Sequence, residues 1–207
     1  MIGVQFEGVN SNPIPVKDLL TVTNLRTGTA AGNTVDQIQV FNGSTYDIYY
    51  YRTNVGWCKK GEQTVTEDTV KPGDAVFFRK GSLGTAGTAT ISGQISTTDE
   101  FTVSLAKGSF VLMTNPWPIP MKIADIGKYY TNAKTGNAAG NTIDQIQVWD
   151  SVGAKYNIYY NRTGVGFCAK GESEATTAVI NPGEGFFFRK GSLGTAGVMT
   201  LTKPTGL

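Results

Sequence analysis

Histidine is missing from all 207 residues. That removes the side chain most often used near neutral pH as a general base and as a metal ligand. Cysteine occurs twice, as Cys58 and Cys168. Two isolated thiols without an imidazole do not supply the roughly four ligands of a structural zinc site. Charge is scarce as well: Asp, Glu, Lys and Arg make up 16% of the chain, against about 25% in an ordinary soluble domain. The formal net charge of +2 sets up no field that would draw a nucleic acid. No apolar run approaches the roughly 18 residues of a membrane span. The start, Met1-Ile2-Gly3-Val4-Gln5-Phe6-Glu7, lacks the basic opening and apolar core of a secretory leader. The expectation is a protein not exported by that route, or one whose leader was removed. No metal, nucleotide or other cofactor is expected, and no nucleic-acid partner.

What the chain has is glycine, 26 of them, with many Thr, Ser and Asn residues and 11% aromatics. It also contains itself twice. Gly32-Asn33-Thr34-Val35-Asp36-Gln37-Ile38-Gln39-Val40 returns 108 residues later as Gly140-Asn141-Thr142-Ile143-Asp144-Gln145-Ile146-Gln147-Val148. Tyr46-Asp47-Ile48-Tyr49-Tyr50 returns 110 residues later as Tyr156-Asn157-Ile158-Tyr159-Tyr160. The two added residues fall near Asn42-Gly43-Ser44, where a hairpin turn tolerates a change of length. Residues 77–87 return as 187–197. A looser match joins Asn12-Pro13-Ile14-Pro15 to Asn115-Pro116-Trp117-Pro118-Ile119-Pro120. Each unit has the size of one small domain. The chain therefore reads as two homologous domains, 1–97 and 98–207, and the short polar join predicts that they pack on each other.

Within each unit the hydrophobic period is two. Ile38 and Val40 share one face and Gln37 and Gln39 the other; Tyr46, Ile48 and Tyr50 oppose Asp47 and Tyr49. Asn42-Gly43 is a strong hairpin signal, and Pro72-Gly73-Asp74 turns into a further strand over 75–79. Residues 88–92 and 200–202 alternate as last strands. Short strands between Gly, Pro and Asn turns predict an all-β fold of two tandem sandwich-like or barrel-like domains. Single helical turns are expected near Lys17-Asp18-Leu19-Leu20 and Lys122-Ile123-Ala124-Asp125, each after a Pro cluster.

The order of motifs has a likeness. Asn115-Pro-Trp-Pro118, then Asp-Gln-Ile-Gln-Val-Trp, Tyr-x-x-Tyr-Tyr and Pro-Gly-x-x-Phe-Phe-x-Arg resemble a β-rich bacterial repeat of unassigned function. That repeat occurs in surface and secreted proteins of Verrucomicrobia-like organisms. The resemblance covers most of each unit, implies a β-rich domain, and supplies no catalytic residues. It departs in one respect, since those relatives carry a leader peptide.

Candidate site residues are weighed against structural roles. Asp36 and Asp144 are equivalent, as are Glu62 and Glu172. A carboxylate pair within about 5–10 Å would suit glycoside hydrolysis, but the duplicated positions suit turn caps or solvent-facing acids better. The run Arg79-Lys80-Gly81-Ser82-Leu83-Gly84 has glycines like a phosphate loop, yet its Lys precedes them and strands flank it. A hairpin tip is expected, with Arg79 and Arg189 free to pair with a carboxylate on a neighbouring subunit. Cys58 and Cys168 are expected to be small buried hydrophobes. Tyr49, Tyr50, Tyr51, Trp57, Trp117 and Trp149 are the aromatics suited to stacking on sugars. Most exchange aromatic for aromatic between units, as core positions do. Tyr51 stands opposite Asn161 and is expected to be exposed.

Three functions follow. The first is a non-enzymatic structural or assembly protein, with itself and other structural subunits as partners. A phage virion component, made in the host cytoplasm, is the reading preferred: a capsid-decorating or head/tail accessory protein. The second is a glycan-binding or adhesion module at an extracellular or cell surface, through Tyr49, Tyr51 or Trp117. The third, an enzyme working with carboxylates alone, is the least supported.

Overall fold

A computed structural model describes the chain except Met1, Gln5, 8–12, Ser96, Gly127, Tyr129, Ser151 and 205–207, with backbone only for Ile2, Gly3, Phe6, Glu7, Gln94 and Ile95. Each unit is built on a five-stranded antiparallel sheet. In the first, the order across the sheet is Ile2–Gly3, Ala75–Arg79, Gln37–Phe41, Tyr46–Arg52, Gly56–Lys59. In the second it is Phe110–Thr114, Gly185–Arg189, Gln145–Asp150, Lys155–Arg162, Gly166–Ala169. The registers match: Ile38 lies opposite Phe78 and Tyr49, and Ile146 opposite Phe188 and Tyr159. The period-two pattern sets the faces. Ile38, Tyr49, Trp57 and Val76 point into one core, and Ile146, Phe167, Phe186 and Phe188 into the other.

The fold is essentially all-β, in two halves, but within neither half does a described sheet close into a barrel or form a sandwich. The expectation of sandwich-like or barrel-like domains is corrected on that point. The core face of each sheet is covered by short antiparallel ribbons, Ile14–Pro15 with Thr69–Val70 and Met121–Lys122 with Val179–Ile180. A turn of 3-10 helix at Val16–Asp18 and a turn of α-helix at Ile123–Ile126 follow them. Proline explains the fragmentation. Pro13, Pro15, Pro72, Pro116, Pro118, Pro120 and Pro182 punctuate these stretches, and a residue without an N–H cannot continue a ladder.

The hairpin insertion sits where expected. In the first repeat the Asn42 N–H donates to the Thr45 carbonyl (3.0 Å), leaving Gly43 and Ser44 as the loop. In the second, Asp150 pairs with Lys155 across 151–154. Both loops are closed by a side-chain oxygen, of Asn42 or Asp150, that accepts backbone N–H groups ahead of it.

The loose match near the two starts is corrected. Ile14 faces Val70 as Met121 faces Ile180, so Pro13-Ile14-Pro15 corresponds to Pro120-Met121-Lys122; Asn12 lies outside the described residues. Asn115 corresponds to Val4: each donates to the carbonyl of residue 184 or 74 and accepts from the N–H of residue 183 or 73. The halves pack on each other through the outer faces of their sheets. Ala75, Leu112 and Phe187 are buried there, with Phe41, Phe77, Phe110 and Tyr156 around them. The Thr114 N–H also donates to the Gly73 carbonyl at 3.0 Å.

Candidate functional site

The glycine-bearing loop that superficially suggests a phosphate cradle is held by a buried ion pair. Asp36 is 0% exposed; its carboxylate accepts from the Gly81 N–H at 2.7 Å, the Arg26 N–H at 2.9 Å and the Lys80 Nζ at 2.7 Å. Asp144 repeats the set with Gly191, Lys134 and Lys190 at 2.7, 2.7 and 2.9 Å. Each lysine also reaches the carbonyl of Asn24 or Asn132, residues held at φ 53° and 57°. The glycines serve close approach: a Cβ on Gly81 would stand 2.4 Å from the Thr34 carbonyl oxygen, and one on Gly87 2.2 Å from that of Thr23. The loop's first N–H and its lysine are thus engaged by a carboxylate, which would repel a phosphate. Asp36 and Asp144 cap this loop, as one of their two expected roles had it, but neither faces solvent.

Glu62 and Glu172 are exposed and meet neither aspartate; each contributes a backbone carbonyl to the phenol of Tyr50 or Tyr160. Cys58 and Cys168 are free, fully buried thiols in small clusters with Tyr50 and Tyr160. Burial pushes both thiols above their ordinary pKa. Among the described residues no cluster of three or more Cys, Asp or Glu could hold a metal ion, and no helix is long and apolar enough to cross a membrane.

The remaining candidates fall mostly into structural roles. Trp117 is 0% exposed; it packs on Phe101, and its Nε1 donates to the Thr98 carbonyl at 3.0 Å. Its turn is fixed by Asn115, whose amide donates to the carbonyls of Ile119 and Ile180. Tyr49 is buried and donates its phenol to Asp68 at 2.7 Å; burial first, then that bond, pushes its pKa far up. Neither ring is offered to a ligand. The expected exposure of Tyr51 is corrected too: it is half-buried, edge-on to Trp57 at 5.5 Å. Arg79 and Arg189 donate to Asn33 and Asn141 of their own repeats, and Arg189 lies 4.9 Å over the Phe110 ring.

A cleft between the repeats collects what these positions do not. It measures about 400 Å³ and is lined by Phe41, Tyr46, Phe110, Tyr156 and Phe187, with Gln147, Ser44 and Ser109 as its polar side chains. Tyr46 and Tyr156 both have raised pKa values, mainly through burial. Trp149 is 38% exposed beside it and stacks edge-on to Tyr156 at 5.0 Å. Rings with a few polar groups in a concavity of this size are the usual make-up of a small-ligand site. Sequence reading could not assemble it, because its walls come from two repeats.

One apolar feature occurs in both units. Leu83 and Leu193, at the tips of the two clamped loops, are 65% and 67% exposed. Val55 and Val165, on the hairpin turns between Tyr46–Arg52 and Gly56–Lys59 and between Lys155–Arg162 and Gly166–Ala169, are exposed as well. No protein-family model, curated protein or solved structure matches the chain.

Proposed function

We propose that this protein is a non-enzymatic structural subunit that works by binding other protein surfaces, as a capsid-decorating or head/tail accessory protein of a virion does. The observation that carries the reading is the pair of exposed leucines, Leu83 and Leu193, each presented on a loop clamped by a lysine paired with a buried aspartate. A single exposed leucine is ordinary. An exposed leucine kept in both repeats, on a rigid support, is what an anchor side chain needs, because little ordering is left to do on binding. The chemistry points the same way: the buried aspartates are neutralised in place, and the other acids do not converge on them. The test is mass measurement with negative-stain microscopy of the native protein, alone and with candidate lattices. The double variant Leu83→Lys/Leu193→Lys is expected to lose association at least tenfold while its melting temperature stays within about 2 °C of the parent, surface changes being small in effect. A parent that stays monomeric and binds no lattice sinks the reading.

The aromatic cleft favours a second reading, carbohydrate binding at a cell or particle surface, since sugars stack on rings that polar groups flank. Tyr156→Ala is then expected to abolish retention on a glycan array that Tyr51→Ala leaves intact. An array blank for the parent protein rejects it.

A further inference from the structure

The cleft between the repeats has polar ends that the folded chain leaves unused. Gln145 and Gln147 alternate with the core residues Ile146 and Val148, so both lie on the outer face of the second sheet. Gln145 is buried, and its Nε2 donates to the Gly140 carbonyl at 2.6 Å. A carbonyl only accepts, so the Gln145 amide has one orientation and turns its Oε1 the other way. That oxygen accepts from Gln147 Nε2 at 3.1 Å. Gln147 is thereby oriented in turn. Its Nε2 points back at Gln145, and its Oε1 has no hydrogen-bond partner among the described residues. Gln147 lines the cleft. The same relay runs in the first repeat from Gln39 to Gln37 at 2.9 Å and on to the Gly32 carbonyl at 2.7 Å, but Gln39 is not on the cleft wall.

The other polar groups add to this set. Ser109 donates its hydroxyl to the Ala106 carbonyl at 2.6 Å, and Ser44 donates to Asn42 Oδ1 at 3.3 Å, so both keep an oxygen that accepts. The phenols of Tyr46 and Tyr156 have no partner among the described residues. No charged side chain lines the cleft. These groups choose between ligands. A carboxylate only accepts, and against the oxygens of Gln147, Ser44 and Ser109 it would lose its water without compensation. An ammonium suits oxygens and ring faces, but the Arg189 guanidinium already lies 4.9 Å over the Phe110 ring and opposes a second cation there. A hydroxyl both donates and accepts, so it serves the fixed acceptors and the free phenols alike.

We infer that the cleft binds an uncharged saccharide, and that Gln147, held in place by Gln145, accepts a hydrogen bond from a sugar hydroxyl through its Oε1. The C–H faces of the sugar supply the apolar surface that the rings bury. The cleft volume of about 400 Å³ lies at the lower end for small-ligand sites, which fits a short saccharide or the end of a glycan. Gln147 touches the ligand; Gln145 is a positioning residue that acts through it. The inference deepens the carbohydrate reading of the cleft and rests on it.

The full chain is titrated with maltose, lactose, cellobiose and chitobiose, with their uronate and amino-sugar counterparts, and with choline. Calorimetry follows binding, as does tryptophan emission, since Trp149 stands edge-on to Tyr156 of the cleft wall. Saturable binding of a neutral disaccharide is expected, at least tenfold tighter than its charged counterparts. Gln147→Met should weaken it at least tenfold. Gln39→Met breaks the same relay away from the cleft and should leave it unchanged. Tyr156→Phe keeps the ring, removes one phenol and should weaken binding severalfold; it decides the matter if Gln147→Met does not fold. Preference for a uronate or an amino sugar overturns the inference and leaves the carbohydrate reading standing. So does neutral binding indifferent to Gln147→Met and Tyr156→Phe, or weakened equally by Gln39→Met. Binding of choline alone, or of no probe, overturns both.

Discussion

Asp144→Ala is expected to destabilise the second repeat by about 3–5 kcal/mol, the usual penalty for removing one partner of a buried ion pair. In a domain of this size that lowers the melting temperature by on the order of 15 °C. Asp144 and the Lys190 side chain are both 0% exposed. Without the carboxylate, the ammonium keeps only the neutral Asn132 carbonyl and the face of the Tyr130 ring, 5.3 Å away, and the N–H groups of Lys134 and Gly191 lose their acceptor. The first repeat provides the control. Asp36 makes the same three bonds, but the Lys80 side chain retains 25% exposure, so its ammonium can turn to water. Asp36→Ala is therefore expected to cost about half as much, since the two orphaned N–H groups remain but the stranded charge does not. Lys190→Met on top of Asp144→Ala should restore part of the loss, because a pair removed together leaves no naked charge. Denaturant titration of the four proteins decides it. Equal losses for Asp36→Ala and Asp144→Ala would show that lysine burial is not the deciding term.

The twofold design and the long strands are legible in the sequence because they rest on local signals. Period-two runs over 37–41 and 145–150, and Asn or Asp at the start of each hairpin loop, need no partner to be read. The structural matches that escape are those where one repeat meets a packing need from a different strand. At position 51 the first repeat has tyrosine, edge-on to Trp57. The second has Asn161 there, buried and donating to the Tyr130 phenol, while the Tyr130 ring packs beside Phe167 and Phe188. Tyr130 occupies the position of Val22. The pairs Val22 with Tyr51 and Tyr130 with Asn161 thus place one ring over the same core from opposite sources. Compared column by column, Tyr51 against Asn161 looks like a position that demands no aromatic. The exchange of Val4 for Asn115 is similar: both use the same backbone bonds, and Asn115 adds an amide that ties down the Trp117 turn. The inter-repeat cleft is hidden for a related reason, since Phe41, Tyr46 and Phe187 alternate outward as a solvent-facing row would until a second sheet is known to lie against them.

That contact between sheets underlies the other large effect, for Phe187→Ala. Phe187 is the hub of the interface: its ring lies 5.7–6.2 Å from those of Phe41, Phe77, Phe110 and Tyr156, and it is 8% exposed. Two of these neighbours belong to each repeat. Truncating a buried phenylalanine costs about 3–5 kcal/mol, and here the cavity opens between the two halves rather than inside one. The loss should fall on their coupling, because the cores around Ile38 and Ile146 lie on the opposite faces of the sheets. The parent protein is expected to melt in one calorimetric transition and Phe187→Ala in two, each narrower in enthalpy. Phe77→Ala, at the equivalent place in the first repeat, removes a half-buried ring that stacks on two other rings, Tyr46 and Phe187, where Phe187 stacks on four. It should broaden the single transition without splitting it. The splitting also separates the two functional readings. A cleft that binds sugar needs both walls and would lose its ligand in Phe187→Ala. The loop leucines Leu83 and Leu193 stand outside the hub, so association through them would survive in the uncoupled variant at temperatures where both repeats remain folded.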